Sequence, residues 1–230
     1  MAVAPTASPI ENLAARYARL AAETPGRHGV DLALRSLDIL FSGLILLVSL
    51  PACLLIAVGV LATGGRPIFY QGERVGRGGR TFHMIKFRTL NRDAELRLGP
   101  HLGPALVERT REEVTRFGQW LRATQLDEIP QFWNVLRGEM SIVGPRPIRP
   151  RFFEELASEL PTYWQRLVIR PGLTGFAQVR RGYETSMAEK LAHDLEWIAD
   201  RSVPLYLRTV IATAVRVARQ AIRGLVRHRE

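Results

Sequence analysis

Two adjacent carboxylates, Asp127 and Glu128, are the residues whose type and position best suit chemistry at a phosphorus atom. They stand just before Pro130, and proline is favoured in the first turn of a helix. Backbone N–H groups and the helix dipole favour anions such as phosphate at that place. Neighbouring residues point in different directions, so one carboxylate can attack phosphorus while the other helps to hold Mg2+. A simple acidic helix cap would have the same sequence.

Two basic clusters lie on either side of this pair in the sequence. The first is Lys86-Phe87-Arg88-Thr89, and the second is Gly144-Pro145-Arg146-Pro147. Lysine and arginine can both hold phosphate oxygens, arginine with two parallel hydrogen bonds. The prolines stiffen the second loop and hold Arg146 outward. Lys86, Arg88 and Arg146 are therefore candidate phosphate contacts, although each cluster alone is more typical of solvent-facing charge.

A long apolar segment precedes these motifs. From Ile39 to Gly65 the sequence has no charged residue, and about 20 apolar residues suffice to cross a bilayer as a helix. Pro51, which follows Ser49 and Leu50, predicts a kink. The segment is either a kinked spanning helix or a re-entrant helix that enters and leaves on one face. Arginines flank both ends and prefer the cytoplasm, which favours the re-entrant form.

The remaining pattern predicts the elements that position the candidate residues. Two β-prone runs around a Gly76-Arg77-Gly78-Gly79 turn predict a hairpin, and Gly138 ends a short helix that begins near Pro130. Surface helices over 91–120 and a helix over 151–168 complete the middle of the chain. We divide the sequence into an amphipathic N-terminal segment (1–38), the membrane segment (39–65), a cytosolic catalytic domain (66–202) and a basic amphipathic helix (203–230).

The net charge of +10 over 230 residues indicates a polyanionic partner. Nucleic acid, an anionic membrane surface and phosphorylated substrates all meet that description. The arginines of the C-terminal helix are compatible with an interfacial membrane helix, a partner-binding helix, a nucleic-acid contact or a solvated helix packed on the domain. The single cysteine, Cys53, excludes an intrachain disulfide.

Several segments in a fixed order resemble the bacterial sugar transferase family, the monotopic phosphoglycosyl transferases. The resemblance covers roughly residues 35–205, and its most specific block is LDEIPQFWNVLRGEMSIVGPRP at 126–147. The other matching segments are Ser49-Leu50-Pro51, Glu73-Arg74-Val75-Gly76, Lys86-Phe87-Arg88-Thr89, PGLTGFAQV at 171–179 and the weaker DLEWI at 194–198. Leu90, Phe176 and Trp197 replace residues that the family often has, and we expect these changes to alter packing rather than chemistry.

The resemblance implies a helix-rich α/β fold associated with a membrane. It favours a re-entrant membrane helix broken at Ser49 and Pro51, a β-hairpin, and a cytosolic domain with amphipathic interfacial helices. The implied location is the cytoplasmic face of the bacterial inner membrane, held in a monotopic manner. A homodimer is plausible by analogy with the family, and no nucleic acid is expected as a partner.

The resemblance also implies a reaction. A sugar-1-phosphate would pass from a UDP-sugar to polyprenyl (undecaprenyl) phosphate through a covalent intermediate on Asp127, with Glu128 assisting, Mg2+ required and UMP released. Asp127 and Glu128 are the implied Mg2+ ligands. The product would be the first membrane-bound intermediate of an exopolysaccharide, O-antigen, capsule or glycoconjugate. The alternative is a non-catalytic basic adaptor that binds anionic lipid or nucleic acid at a membrane.

Overall fold

One long helix, α1, opens the part of the chain that the structure describes. The computed structural model describes residues 27–98, 103–160, 162–180 and 186–227. Helix α1 runs from His28 to Gly64, and it is long and apolar enough to cross a membrane by length and composition. It begins inside the predicted amphipathic segment 1–38, of which residues 1–26 lie outside the described ranges. The apolar segment is therefore continuous with the residues that precede it.

Helix α1 continues through Pro51 without ending there. The structure therefore shows one continuous helix rather than two helices separated at Ser49 and Pro51. The predicted kink at Pro51 and the re-entrant path stay predictions. Its apolar surface is largely uncovered: Leu47 is 70% exposed and Leu55 is 74% exposed. A run of exposed large apolar side chains on one helix is a surface that needs an apolar environment.

The predicted hairpin is confirmed. Strands β1 (Phe69–Val75) and β2 (Thr81–Phe87) pair in antiparallel fashion, from Phe69 opposite Phe87 to Val75 opposite Thr81. Gly78 and Gly79 both have positive φ angles in the turn, which explains the glycines there. Because directly paired residues share a face of the sheet, Tyr70 lies on the same face as Lys86.

The rest of the described chain is mostly helical, with a second small sheet. Strands β3 (Ser141–Val143) and β4 (Gly172–Thr174) pair in parallel. The helices are α2 (Ala94–Leu98), α3 (Gly103–Glu112), α4 (Arg116–Thr124), α5 (Gln131–Leu136), α6 (Pro150–Glu159), α7 (Phe176–Arg180), α8 (Met187–Asp200) and α9 (Val203–Arg227), with 3-10 turns at Leu126–Glu128 and Tyr163–Val168.

The predicted helix over 151–168 is wrong in its extent. Helix α6 ends at Glu159, and a separate 3-10 turn begins at Tyr163. Leu160 has an extended backbone, which is the preferred conformation of a residue that precedes proline, here Pro161. The predictions of a short helix ended by Gly138 and of a C-terminal helix beginning at Val203 are confirmed.

A buried polar junction fixes α1 to the rest of the fold. The Asp38 carboxylate, 2% exposed, accepts hydrogen bonds from Ser141 Oγ at 3.1 Å, the Ile142 N–H at 2.9 Å and Tyr206 Oη at 2.8 Å. These partners belong to β3 and α9, so three elements meet at one carboxylate. The surrounding core cluster consists of Leu34, Phe82, Met84, Val135, Met140, Ile142, Val143, Phe176, Trp197 and Tyr206. Phe176 and Trp197 therefore act in packing, as expected.

Candidate active site

The two carboxylates lie in the tight turn that joins α4 to α5. Helix α4 ends at Thr124, and Gln125 takes a left-handed backbone conformation with φ of 57°. This reverses the chain into the 3-10 turn Leu126–Glu128, directly before α5. A left-handed residue other than glycine is strained, and such strain collects at functional sites. The predicted position of the pair at the start of a short helix is confirmed.

Glu128 forms an ion pair with Lys86 of β2. The Lys86 Nζ atom lies 2.5 Å from Glu128 Oε1, and both side chains are half-buried. An ion pair removed from much of the solvent is stronger than one at the surface. The structure therefore brings together a basic and an acidic residue that stand 42 positions apart in the sequence.

Asn134 fixes the strand of Lys86 against the helix that follows the carboxylates. Its side chain, fully buried, accepts from the Ile85 N–H at 3.0 Å and donates to the His83 carbonyl at 2.8 Å. The carboxamide thus occupies the outer edge of β2 as a neighbouring strand would. It also donates to Glu139 at 2.7 Å. Lys86 and the two carboxylates are consequently held on elements that cannot separate without breaking buried hydrogen bonds.

The carboxylates have different electrostatic environments. Burial raises the pKa of Asp127 to about 6, and the negative charge of Glu128 contributes to the rise, while Lys86 and Arg122 oppose it. Burial also acts to raise the pKa of Glu128, but the Lys86 ion pair and the Arg146 charge outweigh it and lower that pKa. Near neutral pH the pair therefore holds one firmly ionised carboxylate beside another that is close to its titration range.

Arg146 is exposed at the edge of the same site, on a loop with a rigid support. Its charge reaches Glu128 strongly enough to lower the pKa of that carboxyl group. The Arg146 carbonyl accepts a hydrogen bond from Arg166 Nη2 at 3.0 Å. Arg166 is buried and forms an ion pair of 2.6 Å with Asp194, which is also buried. A buried pair whose partners are this close holds the loop backbone in one place.

Arg88 makes backbone contacts that the sequence did not predict. Its guanidinium donates to the carbonyls of Gly64, Gly65 and Arg66, the last at 2.9 Å. These carbonyls lie at and just beyond the C-terminus of α1, where the helix leaves acceptors unsatisfied. Arg88 therefore joins the apolar helix to the end of β2, and it still lines the cleft described next.

A cleft of about 1340 Å³ contains the predicted residues. Lys86, Arg88, Asp127, Glu128 and Arg146 all line it.

Sequence reasoning missed Arg122, Tyr70 and Arg149, which line the same cleft. Arg122 donates to Thr89 at 2.8 Å and lowers the pKa of Asp127. Its position five residues before Asp127 was the available signal, but the predicted surface helices extended only over 91–120 and did not include Arg122.

The pair of carboxylates fits Mg2+ in one particular way. Among the described residues, no group of three or more histidine, cysteine, aspartate or glutamate side chains is placed to hold a metal ion. Mg2+ is commonly held by one or two carboxylates together with substrate phosphate oxygens and water. Lys86 already contacts Glu128 Oε1. Among the described residues, Asp127 and Glu128 therefore suit a Mg2+ ion that is shared with phosphate oxygens of a ligand and with water.

The raised pKa of Asp127 leads to a direct expectation. In metal-free buffer the Asp127 carboxyl group should titrate near pH 6, about two units above an ordinary aspartate, because its ionised form is poorly solvated. Carbon-13 NMR of protein labelled at its aspartate carboxyl carbons measures this titration, and the signal missing from Asp127→Asn identifies the resonance.

A variant at Arg122 tests the electrostatic part of this titration. Arg122→Met removes a positive charge that stabilises ionised Asp127, so the midpoint should move to higher pH. A midpoint near 4 in the unmodified chain would show that burial does not govern this carboxyl group, and a midpoint that falls in the variant would show that the Arg122 charge does not stabilise its ionised form.

Comparison with known proteins identifies a family and several relatives. Residues 30–220 match the family described as Bacterial sugar transferase. The chain is 40% identical over 178 residues to a UDP-glucose:undecaprenyl-phosphate glucose-1-phosphate transferase of Xanthomonas campestris pv. campestris. It is 38% identical over 193 residues to a protein of the same name from Caulobacter vibrioides. It is 34% identical over 182 residues to a UDP-N-acetylgalactosamine-undecaprenyl-phosphate N-acetylgalactosaminephosphotransferase of Aeromonas hydrophila.

These matches cover most of this chain but unequal shares of the relatives. They include 74%, 80% and 78% of this chain, and 35%, 70% and 42% of the three relatives respectively. The Xanthomonas and Aeromonas proteins are thus much longer than the region that they share with it. The family match extends over the apolar helix, the hairpin, the carboxylate turn and the arginine loop. This chain belongs to the bacterial sugar transferase family.

Proposed function

We propose that the protein transfers a sugar-1-phosphate from a UDP-sugar to undecaprenyl phosphate, producing undecaprenyl-diphospho-sugar and UMP. The observation that carries this proposal is the placement of Asp127. It is a nearly buried carboxylate with a raised pKa, beside the Lys86–Glu128 ion pair and near Arg146, in a cleft large enough for a nucleotide-sugar. The names of the relatives support the same pair of substrates.

The first half of the proposed reaction uses Asp127 as the nucleophile. A carboxylate oxygen attacks the phosphorus that carries the sugar, and a new P–O bond forms to Asp127. The bond from that phosphorus to the bridging diphosphate oxygen breaks, and UMP leaves with the bonding electrons. Lys86, Arg122 and Arg146 carry positive charge around the site, which offsets the charge of the diphosphate as it is attacked.

The second half of the proposed reaction regenerates the carboxylate. A phosphate oxygen of undecaprenyl phosphate attacks the same phosphorus, and the P–O bond to Asp127 breaks. The new diphosphate carries the sugar, and Asp127 returns to its ionised form. Glu128 either helps to hold Mg2+ or assists this second attack. When bound, Mg2+ would supply positive charge to the diphosphate oxygens.

The proposed location is the cytoplasmic face of the bacterial inner membrane, with α1 as a re-entrant helix. The uncovered apolar side chains of α1 support burial in lipid. The contact of Arg88 with the end of α1 supports a site at headgroup depth, where the phosphate of a polyprenyl lipid lies. Such a position allows a soluble donor and a lipid acceptor to meet in one cleft.

We further propose that the product enters the synthesis of a bacterial surface polysaccharide or glycoconjugate, and that two chains can associate as a homodimer.

UMP release tests the proposed activity. Purified protein is supplied with undecaprenyl phosphate, Mg2+ and a panel that includes UDP-glucose, UDP-galactose and UDP-N-acetylgalactosamine. We expect UMP release with at least one donor, dependence on both the lipid phosphate and Mg2+, and a matching lipid product by chromatography. Absence of UMP release with every donor, from protein that is folded and inserted in membrane, would favour the adaptor alternative instead. Release that is independent of added lipid phosphate would indicate hydrolysis.

A further inference from the structure

The cleft contains an aromatic surface that the proposed chemistry does not use. Tyr70 lies opposite Lys86 in the hairpin and on the same face. Its side chain lies along the strand and over Gly72: a Cβ atom placed on Gly72 would contact the Tyr70 hydroxyl and would lie 2.7 Å from the ring carbon Cζ. A side chain at position 72 would therefore displace the ring. We call Tyr70 and Gly72, with the adjoining Arg74, the Tyr70 shelf.

Tyr70 and Arg74 of the shelf line the cleft, and residues of the 146–152 segment line it as well. The Val75 N–H donates to the Ile148 carbonyl at 2.9 Å, which holds that segment beside β1. Arg149 Nη2 donates to the Tyr70 hydroxyl at 3.4 Å. Phe152 of α6 lines the same cleft as Tyr70. A planar group that enters here therefore meets an aromatic ring, with guanidinium and hydroxyl donors at its edge.

The position of the shelf along the hairpin decides between the two proposed substrates. The contacts of Arg88 show that the Phe69–Phe87 end of the hairpin lies against the end of α1. Gly72 lies further along β1, toward the turn and away from that apolar helix. A polyprenyl chain would follow the apolar helix, so the shelf is better suited to the soluble donor.

The spacing also suits a nucleotide. The ring of Tyr70 extends over Gly72, which is two residues beyond the position paired with Lys86. Two residues of a strand span about 7 Å. In a nucleotide-sugar, a ribose and one phosphate separate the base from the phosphorus that carries the sugar. With that phosphorus near Asp127 and Lys86, the base reaches the shelf.

We propose that the Tyr70 shelf binds the planar base of the donor nucleotide by stacking, an inference that rests on the proposed transferase function. Every nucleobase has a face that can stack on an aromatic ring, and the edge donors from Arg149 and the Tyr70 hydroxyl suit the carbonyl oxygens of a pyrimidine. Gly72 acts as a positioning residue, because its lack of a side chain leaves room for the hydroxyl end of the Tyr70 ring.

The test compares two probes that differ in the base: UMP and ribose 5-phosphate. Their binding to the full chain in membrane nanodiscs is measured by calorimetry. Tyr70→Leu, which removes the ring, should weaken UMP binding about tenfold and leave ribose 5-phosphate unchanged within about twofold. Tyr70→Phe keeps the ring and should retain UMP binding within about threefold. Gly72→Ala should weaken UMP binding in the same direction as Tyr70→Leu.

Trp133→Leu serves as the matched control, because Trp133 is 52% exposed and lies outside the cleft. It should leave the affinity for both probes unchanged. The proposal is overturned if Tyr70→Leu weakens both probes equally, if it weakens neither, or if the unmodified chain does not bind UMP. Loss of affinity for UDP-sugar with unchanged affinity for UMP would place the sugar, not the base, on Tyr70, and would also overturn it.

Failure of the transferase proposal gives a different result. In that case the chain releases no UMP from any UDP-sugar, whatever the Tyr70 variants do to UMP binding. If transfer occurs and Tyr70→Leu leaves UMP binding unchanged, the transferase proposal stands and the shelf is wrong.

Discussion

Replacing Asp127 with asparagine is expected to lower UMP release roughly 10⁴-fold or more, because the amide has no ionised oxygen to attack phosphorus. The same change should abolish the covalent adduct. Protein incubated with a UDP-sugar radiolabelled in the sugar, in the absence of lipid phosphate, should retain label in the unmodified chain and none in Asp127→Asn. Intact-protein mass spectrometry detects the same sugar-phosphate addition.

This loss should occur without loss of folding. The pKa of Asp127 is raised to about 6 in the folded protein, above the ordinary value of 3.8. The folded state therefore binds the proton more tightly than the unfolded state, and the ionised carboxylate lowers the free energy of unfolding as pH rises from about 4 to 6. Above pH 6, ionised Asp127 lowers the free energy of unfolding by on the order of 3 kcal/mol. Because asparagine removes it, Asp127→Asn should unfold at the same or a higher temperature at pH 8.

Asp93→Asn is the matched control. Asp93 lines the same cleft, its side chain is well exposed, and its backbone has a positive φ that asparagine tolerates. The chemical change is identical, so UMP release should stay within about twofold of the unmodified chain. Retained adduct or retained turnover in Asp127→Asn would remove Asp127 as the nucleophile and would point to transfer without a covalent intermediate.

The elements around the site could be predicted because local sequence determines them. The glycine-rich turn specifies the β1–β2 hairpin, and Pro130 and Gly138 bound the short helix α5. The positions of Asp127 and Glu128 follow from that helix. These features depend on residues that lie close together in the sequence, so an isolated segment contains most of the information that specifies them.

The partners of the charged side chains could not be predicted in the same way. Arg88 was expected as a phosphate contact, which stays a prediction, but its hydrogen bonds to the carbonyls at the end of α1 were not expected. The Lys86–Glu128 ion pair and the Arg166–Asp194 ion pair each join segments that are distant in the sequence. Arginine side chains look alike in a sequence, and only the tertiary structure determines whether one is a cap, an ion pair or a ligand contact. The Tyr70 shelf escaped prediction for the same reason, since Gly72 has a role only when the Tyr70 ring lies over it.

Glu128→Gln should produce the second large effect, a loss of UMP turnover on the order of 10²- to 10³-fold. The substitution removes the carboxylate from the 2.5 Å contact with Lys86 and leaves that lysine facing a neutral amide. Glu128 also raises the pKa of Asp127, while Lys86 lowers it. Without Glu128, the Asp127 carboxylate is stabilised further by Lys86 and becomes a weaker nucleophile. The variant therefore loses an assisting group and changes the nucleophile at once.

A double-mutant cycle with Lys86→Met tests whether the two residues act as a unit. Because they contact each other directly, the combined loss in the double variant should be smaller than the product of the two single losses. Glu113→Gln breaks another 2.5 Å pair, with Arg97, outside the cleft and should leave turnover within about twofold. Strictly multiplicative losses would show that Lys86 and Glu128 act independently, which contradicts a shared role.

The two half-reactions then separate the possible roles of Glu128. A role in holding Mg2+ requires slow adduct formation on Asp127, because the diphosphate must be neutralised before attack. A role in the second attack requires normal adduct formation and slow release of the adduct to undecaprenyl phosphate. Rapid-quench measurement of labelled adduct, before and after addition of the lipid, distinguishes these results. Because Lys86 already engages Glu128 Oε1, we expect that the first half-reaction is slowed less than the second. A larger defect in adduct formation would contradict this expectation and would place the main role of Glu128 in the first half-reaction.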